Sequence, residues 1–126
     1  MGGSSTELTA EQVSLRNQVS CGLQSPYSQE ETVAVETALS LSGAERLQQI
    51  DGLLSSASAD DMIYLTIMAF DVWESNDAVS RLDRALRVNG ASPEYRCAGY
   101  AHLGRFYDHK GDWVKADGYY RQALQP

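Results

Sequence analysis

Small and bulky side chains alternate with helical spacing near the end of this chain, and that pattern restricts its fold more than any other feature. In "YAHLGRFYDHKGDWVKADGYYRQALQP" (Tyr100–Pro126), Tyr100, Leu103 and Tyr107 share one helical face, with Gly104 one turn beyond Tyr100. After Gly111, the residues Ala116, Tyr119, Tyr120, Ala123 and Leu124 follow the i, i+3, i+4, i+7, i+8 pattern of a second apolar face. A glycine inside a helix costs about 1 kcal/mol relative to alanine. Close approach of a neighbouring helix offsets that cost. Ala116 and Ala123 provide the matching small surfaces, and the tyrosine rings fill the space around them.

The rest of the chain carries helix punctuation at short intervals. Thr9 with Gln12, Ser28 with Glu31 and Ser42 with Glu45 each have the spacing of a capping box, in which a hydroxyl and a longer side chain satisfy two free backbone N–H groups. The first helix is expected to carry Val13, Leu15, Val19 and Leu23 and to stop near Pro26, which disfavours helix at Ser25. Gly43 separates the second helix from the third. The fourth, in "DDMIYLTIMAFDVW", is apolar almost all the way round and should be buried on several sides. Ala78, Leu82, Ala85 and Leu86 form a stripe on the fifth, Gly90 ends it, and Pro93 opens the sixth at its first position. No stretch sustains the alternation of a strand. The expected fold is all-α, about seven short helices in antiparallel pairs, in one domain from residue 9 to residue 126, after a disordered or tag-like opening at residues 1–8.

Composition narrows the function. With 126 residues, 43% hydrophobic and 21% charged, the chain can bury a core without staples. A net charge of −7 speaks against nucleic acid or anionic membrane as the main partner, since both call for clustered Lys and Arg. Cys21 and Cys97 lie far apart without metal-ligand spacing and are expected to be reduced thiols in a cytoplasmic protein, although a bridge between them is geometrically allowed. "MGGSST" fits the myristoylation pattern at Gly2, but a Gly/Ser-rich opening is also what an expression scar or a frayed terminus looks like, and that reading is preferred. The apolar run Met62–Trp73 is too short to span a membrane.

Tyr100, Leu103, Gly104, Tyr107, Gly111, Ala116, Tyr120 and Ala123 together resemble the tetratricopeptide repeat, a helix–turn–helix unit of a right-handed α-solenoid. Pro126 comes two residues before the motif's proline. Residues 93–126 form the clear repeat. Residues 59–90 resemble a degenerate one, with Ala78 and Leu82 matching Ala116 and Tyr120, and Thr66 in place of the glycine. The resemblance implies that the first helix of each repeat lines a concave groove that holds a peptide or amphipathic helix of another protein. In the last repeat that lining would be Ala98, Ala101, His102, Arg105, Asp108 and His109. In the degenerate repeat it would be Ile63, Ile67 and Phe70. Where the chaperone-binding branch of the family clamps a carboxylate with Lys and Asn, this chain has Ala101 and Arg105, which suits an apolar segment better.

Catalysis finds no support in the residues. His102 and His109 are seven apart, without the i, i+4 spacing or third ligand of a helical metal site. No nucleophile–base set or phosphate loop can be assembled, so no enzyme, metal or cofactor is expected. The expected function is a scaffold or chaperone-like adaptor, as in bacterial secretion and pilus-assembly chaperones by analogy of fold alone. The alternative is a capping or self-associating piece of a larger repeat protein. Tyr119, Ala123 and Leu124 would leave an uncovered stripe on the last helix, so either the natural chain continues or a homodimer forms through that end.

Overall fold

Side-chain oxygens cap most of the helix starts: hydroxyls at Thr9, Ser28 and Ser58, the first two in complete capping boxes, and carboxylates at Glu74 and Asp112. The computed structural model describes residues 7–125, and among them are seven α-helices and no strand. These are α1 (Ala10–Gln18), α2 (Gln29–Ser40), α3 (Gly43–Ser55), α4 (Ala59–Met68), α5 (Ser75–Leu86), α6 (Pro93–His109) and α7 (Trp113–Ala123). A short 3-10 turn, Phe70–Val72, follows α4. Expectations about Gly2 and Pro126 lie outside the described residues, as does most of the tag-like opening. No helix among the described residues is long and apolar enough to cross a membrane.

Local details depart from the sequence pattern where tertiary contacts intervene. Ser42 makes no capping bond with its side chain. Gly43, at φ +60°, turns the chain there, and the Arg46 guanidinium bonds the Leu41 carbonyl instead. The first helix stops at Gln18 rather than near Pro26, and Val19 is already extended. The Asp60 carboxylate, in the first turn of α4, accepts bonds from the Ser92 backbone N–H and hydroxyl, both at 2.7 Å. That ties the start of α4 to the start of α6.

The core is built where α4, α5 and α6 meet. Ile63 and Leu65 of α4, Leu82 and Ala85 of α5, and Leu103 of α6 are completely buried. Full burial of the isoleucine and leucine side chains stabilises by about 1.5–3 kcal/mol each. Thr66 is buried too, and its hydroxyl donates to the Met62 carbonyl one turn back, which removes the penalty of an unpaired polar group. Glycines set the closest approaches. A methyl group at Gly99 would lie 2.6 Å from Leu86 Cδ2 and 3.3 Å from Ile63 Cγ2. At Gly104 it would lie 2.7–2.9 Å from the Tyr120 ring. Gly111, at φ +78°, closes the turn between α6 and α7.

One expectation is overturned and another holds only in part. Cys21 and Cys97 form a disulfide rather than reduced thiols, with Cα atoms 5.6 Å apart across 76 residues. Long-range folding supplies the proximity, and no local spacing announces it. The stripe expected to lie uncovered on the last helix is closed only in part, since α1 folds back against α7 at Asp117 and Tyr120. Asp117, Tyr120 and Ala123 are buried, Tyr119 is half-buried beside Tyr100 and Tyr107 away from α1, and Leu124 remains 41% exposed.

Two of the three helical glycines of the closing hairpin, Gly104 and Gly118, should respond oppositely to alanine. Gly104→Ala forces a methyl into a ring that its own hydroxyl bond holds in place, and should lower stability by about 1–3 kcal/mol despite better helix propensity. Gly118, in α7, has nothing within 4 Å of an added methyl, so Gly118→Ala should raise stability by up to about 1 kcal/mol. Urea unfolding of both variants measures the contrast, and equal shifts would contradict the close packing at Gly104.

Candidate partner-binding face

Between α1 and α2 the chain carries Gly22 and Pro26 and makes no helix or strand from Val19 to Ser28. This strap, with α1 ahead of it, tracks α6 in the opposite direction. Arg16 meets Asp108 near the end of α6, and Cys21 is bonded to Cys97 near its beginning. Further on, the Gln24 carbonyl accepts from the Tyr95 hydroxyl at 2.6 Å. The Tyr27 ring then stands edge-on to Tyr64 of α4, with centroids 5.8 Å apart. Helical spacing puts Cys97, Ala101, Gly104 and Asp108 on one face of α6, and the strap is fastened at both ends of that face.

Arg16 is the centre of the fastening at the α7 end. Its Nε and Nη2 donate to both oxygens of Asp108, the shortest bond being 2.6 Å. Nη1 donates to Asp117 Oδ1 at 2.7 Å. Gln12, one turn earlier on α1, donates from Nε2 to the second oxygen of Asp117 at 3.0 Å. Tyr120 lies under the guanidinium, 4.9 Å from ring centroid to Cζ, and its hydroxyl donates to Asp108 Oδ2 at 2.7 Å. Two carboxylates, one ring and one guanidinium therefore satisfy one another in a mostly dry setting, with the Arg16 side chain only 13% exposed.

Ionisation follows from that geometry. The bonds that Arg16 donates to Asp108 raise its guanidinium above the ordinary value, against the effect of burial. Burial alone would raise the Asp117 carboxyl, yet the bonds from Gln12 and Arg16, with the charges of Arg16 and Arg121, hold it below its ordinary value. Burial raises the Tyr120 phenol, and its bond to Asp108 adds to the effect.

The groove residues expected from the repeat pattern separate into three groups. Ile63, Ala98 and Ala101 are buried in the interior, and so is Phe70. Asp108 is engaged by Arg16 and Tyr120. Ile67 and His102 are half-buried, and Arg105 and His109 are exposed, so these four remain open to a partner. His102 packs edge-on against Phe70, with centroids 4.6 Å apart. Among the signature residues, Leu103, Gly104, Ala116, Tyr120 and Ala123 are buried, and Tyr100 and Tyr107 are half-buried.

Sequence reasoning missed two surfaces. One is the strap with Gln12, Arg16 and Cys21, for which the available signal was Arg16, the single basic residue ahead of Arg46. The other is an open cleft of about 530 Å³ between α5, α6 and α7. Its wall includes Tyr107 and Tyr119, stacked with centroids 5.7 Å apart, and Tyr100 beyond them. Among the described residues, no group of three or more His, Cys, Asp or Glu could hold a metal ion. No protein-family model, curated protein or solved structure matches the chain.

A measurable pH effect follows at this face. Burial, helped by the charge of Arg105 and opposed by that of Asp71, pushes the His102 imidazole below its ordinary 6.5. The unfolded chain therefore binds the proton first on acidification, and stability present above pH 6.5 is lost as pH falls from 6.5 toward the folded-state value. His102→Gln should flatten the decline in melting temperature between about pH 7 and pH 5.5. An identical decline in variant and wild type would contradict the assignment to His102.

Proposed function

We propose that this chain is a protein-interaction module of the tetratricopeptide-repeat kind, without catalytic activity, that holds a segment of another protein against α6. One observation supports this above the others: the chain's own strap, neither helix nor strand, is held against α6 at Cys97 and Tyr95, so that face accommodates a peptide backbone and its side chains. His102, Arg105 and His109 lie on the neighbouring face of α6, and Ile67 on α4, all outside the strap's contacts. Arg105 is the natural anchor, since arginine combines paired hydrogen bonds with stacking. The close approaches at Gly99 and Gly104 are consistent with helix pairs packed in a repeat array.

The structural alternative, an end piece of a longer repeat array, draws on a different observation. Helix α1 covers part of α7 as a terminal cap would. A homodimer through Tyr119 and Leu124 would then have only the remaining exposed edge to use. A cytoplasmic location belongs to the interaction-module reading as well. In that compartment a disulfide that is not fully buried is a reversible bond rather than a permanent staple.

Selection from a random displayed-peptide library tests the module directly. Enriched peptides should bind the folded chain with dissociation constants in the micromolar range, about −8 kcal/mol. Arg105→Ala should weaken them at least about tenfold, near 1.4 kcal/mol, without changing helicity. Enrichment insensitive to Arg105 would move the site, and no enrichment at all would contradict an interaction module.

A further inference from the structure

Helix α1 is held to the rest of the molecule mainly by charge and by a covalent bond further along. It has nine residues and buries none of them, and Val13 is 43% exposed. A helix this short is marginal on its own in water. What α1 contributes at the interface is Arg16 and Gln12. The site that receives them belongs entirely to α6 and α7: Asp108, Asp117 and Tyr120, with the Tyr120 hydroxyl already orienting Asp108. Without Arg16 the site would be two carboxylates beside an aromatic face, preformed for a guanidinium, on a chain of net charge −7.

We propose that Asp108, Asp117 and Tyr120 form a receptor for an arginine-bearing helix of another protein, occupied at rest by Arg16 and opened when the Cys21–Cys97 disulfide is reduced. The proposal rests on the interaction-module reading, since it names the kind of partner that face takes. A matching helix presents an arginine with a glutamine one turn earlier, as α1 does with Arg16 and Gln12. Neither cysteine is fully buried. A thiolate of a dithiol reductant attacks one sulfur and expels the other cysteine as a thiolate. The second thiol of the reductant then resolves the mixed disulfide, leaving two protein thiols and an oxidised reductant. Loss of the tether lowers the effective concentration of Arg16 at its own site, so a helix from outside can compete.

The test uses a fluorescein-labelled peptide carrying residues 8–20 of this chain, and fluorescence anisotropy on the intact protein with and without dithiothreitol. The reduced protein should bind the peptide at least about tenfold more tightly than the oxidised one. A peptide with Arg16→Gln should not bind the reduced protein. Arg16→Gln in the protein itself should raise affinity for the unaltered peptide further, and the wild-type comparison stands even if that variant folds poorly. Equal binding of the arginine and glutamine peptides to the reduced protein would overturn the receptor, and equal binding before and after reduction would overturn the gate. Light scattering on the reduced sample tests the other occupant: a dimer would assign the site to a second copy of the chain and overturn a foreign partner. If library-selected peptides bind through Arg105 while this peptide does not, the receptor falls alone. If neither binds, the interaction module falls with it.

Discussion

Tyr120 resting on Gly104 is the contact from which the rest of the C-terminal architecture follows. The absent side chain at Gly104 lets the ring lie against α6, where a methyl would come within 3 Å of three ring carbons. From that position the phenol hydroxyl reaches Asp108 across the hairpin. The outer face of the ring lies under Arg16, and Asp108 takes the same guanidinium in a two-pronged bond. A steric condition inside the hairpin thus becomes an electrostatic condition on its surface. Fastening of the N-terminal segment is the outcome.

Covalent and ionic fastenings act at opposite ends of one helix face. Arg16 fixes α1 beside the end of α6, and Cys21 fixes the strap beside its beginning. Ion pairs alone would be a weak tether if exposed, but Arg16 and Asp117 are each little more than a tenth exposed, where charge-assisted bonds count for more. Removing one member would leave a poorly solvated charge behind, which is more damaging than losing the pair. The tyrosine cleft lies on another part of α7 and shares none of these residues, so the two surfaces can be altered separately.

The helices were legible because their signals are local. Capping boxes at Thr9 and Ser28, the stripe Ala78–Leu86 and the proline at the start of α6 each specify a helix within one or two turns. Gly104 was legible as well, because a helical glycine needs a neighbour to justify it. The third capping box failed at Ser42 because a left-handed glycine follows it directly. The long first helix failed because the tie between Cys21 and Cys97 draws residues after Gln18 into an extended path. Groove residues were placed by analogy with a repeat, and half of that lining is interior or already engaged. Arg16, Asp108 and Asp117 are far apart in sequence, and no periodicity connects them.

A double-mutant cycle on Arg16→Ala and Asp108→Ala, followed by urea unfolding, measures the fastening of the N-terminal segment to α6 most directly. Each single substitution should destabilise the fold, and the pair should do so by less than the sum, with a coupling of about 1–3 kcal/mol. Additive losses, with coupling indistinguishable from zero, would mean that Arg16 does not hold α1 to the closing hairpin.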